Sequence, residues 1–229
     1  MNWLFDTLGV KPPTLKEPLV DCENCQLKSP LKRTGKYQVD IKCCEFSPYW
    51  SSFGIGAWLD QGNSLKSLPA VDSGEMILTT IGIMHTLEHR AGKENLCLLF
   101  KKGANNCSIW SERPAICYSF FCASQHKTGI SQYSILEDWL LSIEAAAIKL
   151  YFYRNGVEPE VWQKWVEYME PLPDPETFPH ELLIHNYSEA EQIYKDSYYW
   201  FRDSRECELL RFQVREDWKK QVAENPQLC

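Results

Sequence analysis

Cysteines are the residues of this sequence whose type and spacing most clearly suggest chemistry. Eight of the ten fall before residue 123: Cys22, Cys25, Cys43, Cys44, Cys97, Cys107, Cys117 and Cys122. Soft metals bind thiolates, and turns bring several thiolates to one point. Turn-forming residues stand at 102–106, before Cys107, and at 113–114, before Cys117. We therefore predict that these eight cysteines are metal ligands.

The grouping of the eight thiolates stays open. One tetrahedral zinc or one cubane iron-sulfur cluster takes four thiolates, so eight imply two centres or one polynuclear assembly. Cys43 and Cys44 are neighbours, and neighbouring side chains in an extended segment point in opposite directions. Cys43 and Cys44 are therefore expected to bind two different centres, or one of them is a ligand and the other a structural thiol. The simplest grouping puts the first four cysteines at one centre and the last four at another.

Two kinds of metal centre suit this donor set. A closed four-thiolate zinc site has no redox chemistry and only stabilises the fold, whereas an iron-sulfur cluster carries electrons or offers an open iron. The residues around the last four cysteines are apolar and aromatic: Leu98, Leu99, Phe100, Trp110, Tyr118, Phe120 and Phe121. Such a shell protects a cluster from water, but it would serve equally as plain core.

The cysteine pattern resembles that of the YkgJ-type cysteine-cluster family, whose members are described as zinc- or iron-chelating or iron-sulfur proteins. The family's core motif C-x-I-Y-x-x-R-P-x-x-C corresponds here to Cys107, Ile109, Trp110, Arg113, Pro114 and Cys117, with Trp in place of the usual Tyr. The resemblance covers about residues 20–123. The chain departs from the family in a longer basic insertion at 28–42 and in Tyr118, where the family often has Arg.

This resemblance favours an iron-sulfur cluster, of the 4Fe-4S type, as the cofactor, with Zn²⁺ as the alternative. The first implies a redox or modification role with a protein or redox partner; flagellin lysine-N-methylase has a related cysteine cluster, so the resemblance permits enzymes. The second implies a protein-interaction module without catalysis. We expect Arg113 to lie behind the ligands, donating to backbone carbonyls or thiolate sulfur, with an exposed charge as the alternative. No acid/base pair, phosphate loop or cofactor fingerprint indicates a substrate.

Composition bears on the compartment and on the partners. The net charge of −7 and the pI near 5.3 argue against nucleic-acid binding, which needs clustered Lys and Arg. The sequence shows neither a secretory signal nor a long apolar run, so we predict a cytoplasmic protein without a membrane segment. Disulfides are rare in that compartment, which favours metal ligation; a disulfide framework is the alternative for a secreted chain.

The hydropathy pattern predicts a mainly α fold in one compact unit. An N-terminal arm (1–20), extended and anchored by Trp3, precedes an irregular cysteine-cluster metal-binding region (21–123), which packs against a C-terminal helical region (124–229). That region contains a bundle of about three helices, at 131–153, 159–169 and 188–223, the last opened by a capping box at Ser188 and Glu191. In the first half we predict a basic hairpin over 28–42 and a helix over 73–90.

Some candidate residues have a functional and a structural interpretation. The predicted helix over 73–90 would place His85 and His89 one turn apart, where a metal could bind, but surface or core histidines are favoured because cysteines are abundant. The aromatic residues of 46–70 suit core or a shield for the metal, with a ligand groove as the alternative. A nucleophilic cysteine would need a histidine, and only His126 follows Cys122 closely. We predict that Cys207 is a buried apolar residue and that Cys229 lies at a frayed end.

Overall fold

The structure is a computed structural model that describes residues 2–13, 49–68, 76–85, 97, 99–101, 106–109, 112–115, 117, 130–161, 163 and 180–226. This part of the chain is mainly helical, as predicted, with a small three-stranded antiparallel sheet. None of its helices is long and apolar enough to cross a membrane. The predicted basic hairpin over 28–42 lies outside the described residues, as does much of the predicted metal-binding region (21–123). The arrangement of these segments stays a prediction.

The first helix is α1 (Asn2–Leu8), and it is buried. The extended arm predicted here is wrong for these residues, although Trp3 does anchor them, with 3% of its surface exposed. The apolar residues Leu4, Phe5 and Leu8 recur at helical spacing, and burying that stripe against other helices stabilises a helix that is short for an isolated peptide. Pro12 and Pro13 come after the end of α1 and therefore do not interrupt it.

Strands β1 (Trp50–Ser51), β2 (Met76–Thr79) and β3 (Gly82–His85) form the three-stranded sheet in the order β1-β3-β2. The helix predicted over 73–90 is therefore wrong over the residues described. The turn at its centre is closed by Thr79, whose hydroxyl accepts from the Gly82 N–H at 3.1 Å. A side chain on Gly82 would meet the carbonyl oxygen of Trp50 at 2.2 Å, so glycine lets β1 pair with β3.

Helix α2 (Ser52–Asp60) follows β1 and is buried on nearly every side. We found no period in this segment because a helix with apolar residues all round has no polar face to mark one. The aromatic residues of β1 and α2 are core, as predicted: Trp50, Phe53 and Trp58 are each at most 5% exposed. A short 3₁₀ turn, Leu65–Ser67, comes next.

The C-terminal part contains α3 (Ile130–Arg154), α4 (Tyr187–Asp203) and α5 (Glu208–Glu224). Helix α3 agrees with the predicted 131–153. Of the helix predicted over 159–169, residues 159–161 and 163 are helical and the others lie outside the described residues. The single helix predicted over 188–223 is wrong, because the chain breaks between α4 and α5. Arg211 bridges this break by donating to the carbonyl oxygens of Phe201 and Ser204.

The capping box predicted at the start of α4 is also wrong. Asn186 caps the helix instead, and its side-chain oxygen accepts from the N–H groups of Ser188 and Glu189 at 2.8 and 3.4 Å. Glu191 turns away from the helix end and accepts from Ser64 Oγ and Leu65 N, both at 2.7 Å. Its carboxylate therefore ties α4 to the 3₁₀ turn.

Two hydrophobic clusters fill the interior. The first cluster joins α1, α3, α4 and α5 around Trp3, Phe5, Trp139, Phe201 and Trp218, and it includes Cys207, which is fully buried as predicted. The second cluster joins α2, the sheet and α4 around Trp50, Ile55, Trp58, Leu99, Ile109 and Tyr194. Helix α2 contributes to both clusters and crosses α4 closely at Gly56. A side chain there would meet the carbonyl oxygen of Tyr194 at 2.1 Å.

Candidate metal centre

Three of the eight predicted ligands fall within the described residues. Cys97 is buried and belongs to the second cluster, and the half-buried Cys107 packs against the same cluster. Cys117 is half-buried and helical. The other five predicted ligands, Cys22, Cys25, Cys43, Cys44 and Cys122, lie outside the described residues. The structure thus brings Cys97 and Cys107 to one apolar cluster and leaves the eight-thiolate set a prediction.

A small hairpin positions Cys107. Strands β4 (Phe100–Lys101) and β5 (Asn106–Cys107) are antiparallel, and Cys107 pairs with Phe100. The next residue extends the pairing, because the N–H and the hydroxyl of Ser108 both donate to the carbonyl oxygen of Leu99, at 2.8 and 2.6 Å. Cys97 comes just before this hairpin in the chain. Its two strands therefore hold Cys107 beside the segment that begins with Cys97.

The surroundings of the Cys107 sulfur suit a thiolate ligand. Burial raises the pKa of this thiol, which disfavours its thiolate form. A hydrogen bond from the backbone of Ile109 and the positive charge of Arg113 act in the opposite direction and lower that pKa. Backbone N–H groups and a nearby cation stabilise negative sulfur in metal-thiolate sites, and a bound metal ion displaces the proton. The chemistry of this donor therefore fits a metal centre.

Arg113 stands where the sequence motif placed it, after Cys107 and beside Pro114. Its side chain is half-buried, and its charge acts on the Cys107 thiol. Pro114 and Ala115, which follow it, are buried. An arginine in this position supplies positive charge near the sulfur from within the folded chain rather than from a mobile surface side chain.

Glu112 is a residue that sequence analysis missed. Glu112 is 2% exposed, and its carboxylate accepts from the backbone N–H of Trp3 at 3.1 Å and from Gln61 Nε2 at 2.9 Å. Its backbone carbonyl accepts from the indole N–H of Trp50 at 3.0 Å. One signal was available, because Glu112 is the only acidic residue between Cys97 and Cys122. A lone carboxylate in such an apolar stretch is buried only when it has partners.

Comparison with protein-family models, curated proteins and solved structures finds no match. The resemblance to the YkgJ-type family therefore remains an interpretation of the motif residues themselves. Within the described ranges, no three His, Cys, Asp or Glu side chains form a group that could hold a metal. His85 ends β3, and its predicted helical partner His89 lies outside those ranges, so the predicted histidine pair gains no support.

A second buried carboxyl group is that of Glu144. Glu144 on α3 is 8% exposed and accepts a hydrogen bond from Ser51 Oγ at 2.8 Å. Burial raises its pKa to about 7, and the Ser51 hydrogen bond lowers it in part. Tyr49 is close enough for the Glu144 charge to raise the pKa of its phenol further, after burial. Because these groups come from different elements, no local sequence pattern indicated them.

Proposed function

We propose that this protein holds iron-sulfur clusters, of the 4Fe-4S type, on up to eight cysteine thiolates and serves a redox or modification role. The ligand set is the one that the sequence predicts: Cys22, Cys25, Cys43, Cys44, Cys97, Cys107, Cys117 and Cys122. One observation carries the proposal. The half-buried Cys107 sulfur accepts a backbone hydrogen bond from Ile109, and the positive charge of Arg113 stabilises its thiolate form. A bound cluster supplies electron transfer or an open iron.

The described residues contribute in two ways. The second cluster includes Cys97 and packs against the half-buried Cys107, and its apolar side chains, such as Leu99 and Ile109, limit the access of water to both sulfurs. The Ile109 amide and the Arg113 guanidinium offset part of the negative charge that thiolate ligands bring into an already acidic protein. Hydrogen bonds and burial of this kind set the reduction potential of iron-sulfur centres.

A zinc-stabilised interaction module is the second candidate. Zn²⁺ on the same thiolates would stabilise the fold without redox chemistry. One observation favours it: Leu209 and Phe212, three residues apart on α5, are 67% and 55% exposed. Apolar residues at this spacing on a helix surface are typical of helix-mediated protein recognition.

Anaerobic purification followed by metal analysis separates the two candidates. Iron with acid-labile sulfide and broad visible absorption supports the first, whereas colourless protein with stoichiometric zinc supports the second and contradicts the first. Protein without either metal contradicts both. Cys107→Ala and Cys207→Ala form a matched pair, because Cys207 is buried among apolar residues in the first cluster. We expect Cys107→Ala to lower the metal content and Cys207→Ala to keep it.

A further inference from the structure

We propose that Glu112 is a positioning residue for the predicted metal centre and that it couples metal binding to the docking of α1. This inference rests on the proposed function, because it concerns the same cysteines. Glu112 lies midway between Cys107 and Cys117 in the chain. Contacts that fix Glu112 therefore fix the backbone between two predicted ligands.

Within the described part of the chain, three separate elements contact Glu112. The carboxylate accepts from the Trp3 N–H in α1 and from the side-chain amide of Gln61 at the end of α2, at 3.1 and 2.9 Å. The backbone carbonyl accepts from the Trp50 indole of β1 at 3.0 Å. Each of these partners is at least 51 positions away in the chain. Removing the carboxylate takes this acceptor from the buried backbone N–H of Trp3, which is costly.

The segment around Glu112 crosses from one hydrophobic cluster to the other. Ile109 belongs to the second cluster and Ala115 to the first, and both are at most 1% exposed. A turn closes between them, with the Glu112 N–H donating to the Ile109 carbonyl at 2.9 Å. Ile109 also hydrogen-bonds the Cys107 sulfur through its backbone. The contacts of Glu112 thus reach the thiol through a single turn of chain.

A thermodynamic consequence follows from these contacts. If metal binding orders the 107–117 segment, it also orders the acceptor to which the Trp3 N–H donates, and α1 docks more firmly. By linkage, docking of α1 strengthens metal binding by the same factor. Residues behind metal ligands commonly change metal affinity by about ten- to a hundredfold when they are replaced.

The test compares the full chain with Glu112→Ala, Glu112→Gln and Gln61→Ala, all purified anaerobically with their metal. Two quantities are measured: the rate of metal transfer to a chelator, and amide hydrogen exchange at Trp3 with and without metal. We expect Glu112→Ala to lose metal about tenfold faster and Glu112→Gln to lose it more slowly than Glu112→Ala, since an amide retains an acceptor oxygen. Gln61 is exposed, so Gln61→Ala should fold and give a smaller effect of the same sign.

Glu191→Ala is the matched control. It removes another carboxylate that accepts two hydrogen bonds, from Ser64 and Leu65, but it does not touch the 107–117 segment. We expect it to lower stability while its metal loss stays within about twofold of the wild-type rate, given the usual independence of separated sites. In the wild type, metal removal should speed exchange at Trp3; in Glu112→Ala that exchange should be fast with or without metal.

The outcomes separate this inference from the proposed function. A wild-type protein that holds no metal overturns the proposed function and this inference with it. A wild type that holds metal, with Glu112→Ala and Gln61→Ala releasing it at the wild-type rate, overturns this inference alone. Equal acceleration by Glu112→Ala and Glu191→Ala would assign Glu112 a purely structural role and also overturn it.

Discussion

Ser51 donates a hydrogen bond of 2.8 Å to Glu144, and this bond joins the start of α2 to the middle of α3. The same hydroxyl oxygen accepts from the Gly54 N–H at 3.5 Å. Ser51 therefore both caps α2 and donates a hydrogen bond to the buried carboxyl group of Glu144. Two phenols donate to neighbouring backbone carbonyls of the sheet: Tyr49 to the Ile81 carbonyl and Tyr194 to the Gly82 carbonyl. Glu144 is thus a titratable group inside the protein.

Glu144 should make stability depend on pH. Burial raises its folded-state pKa from 4.5 to about 7, so the folded protein binds a proton more tightly than the unfolded chain does. The contribution of Glu144 to the free energy of unfolding is therefore complete below pH 4.5 and is lost as the pH rises towards 7. The total change is roughly 3 kcal/mol. We expect Glu144→Gln to remove this slope, as measured by urea unfolding between pH 5 and 8.

Asp138→Asn is the control for Glu144→Gln, because Asp138 is an exposed carboxylate on the same helix. It should leave the pH profile close to that of the wild type. A Glu144→Gln profile that keeps the full wild-type slope would contradict the prediction.

Gly56→Ala should destabilise the crossing of α2 and α4. The added methyl group would meet Tyr194 O at 2.1 Å and Tyr198 Cβ at 2.6 Å, so the two helices must separate. Overpacking of this kind costs typically about 1–3 kcal/mol. Gly62→Ala is the comparison, because its methyl group enters open space and meets only the strain of a positive φ of 86°. Chemical unfolding should rank Gly56→Ala as clearly the less stable variant.

Arg211→Ala should loosen the junction between α4 and α5. The guanidinium donates to the carbonyl oxygens of Phe201 and Ser204, which the end of α4 leaves without helical partners. We expect a loss of about 1–3 kcal/mol in the free energy of unfolding. Lys219→Ala should change it by less than about 0.5 kcal/mol, because its pair with Glu216 is exposed. Equal effects of the two variants would disprove a special role for Arg211.

Arg113→Ala should reduce metal retention if the proposed function is correct. Its charge lowers the pKa of the Cys107 thiol, so its removal disfavours the thiolate that binds metal. We expect Arg113→Lys to retain more metal than Arg113→Ala, since it keeps the charge. Arg205→Ala, at an exposed position, is the control. Metal content and stability unchanged in Arg113→Ala would contradict this role for Arg113.

Features set by neighbours in the chain could be predicted. Helix α3 begins and ends within one residue of its predicted bounds, because apolar residues at helical spacing run from Ile135 to Tyr151. Burial of Cys207 was predicted from the apolar character of a free cysteine, and the anchoring of Trp3 from the short apolar patch around it. The eight candidate ligands come from the cysteine pattern and stay a prediction, and the structure places Cys97 and Cys107 at one apolar cluster.

Features that depend on residues far apart in the chain could not be predicted from the sequence. Residues 76–85 carry apolar side chains at spacings that suit a helix, yet they form a hairpin because β1 supplies a third strand and Gly82 allows its approach. Arg211 bridges the break after α4, and Glu112 and Glu144 are buried with hydrogen bonds from Trp3, Gln61 and Ser51. A buried polar group is stable only where its partners meet it, and those partners come from elements 51 to 109 residues away. The sequence by itself determined local helix and the cysteine pattern; tertiary structure decided which polar residues could be buried.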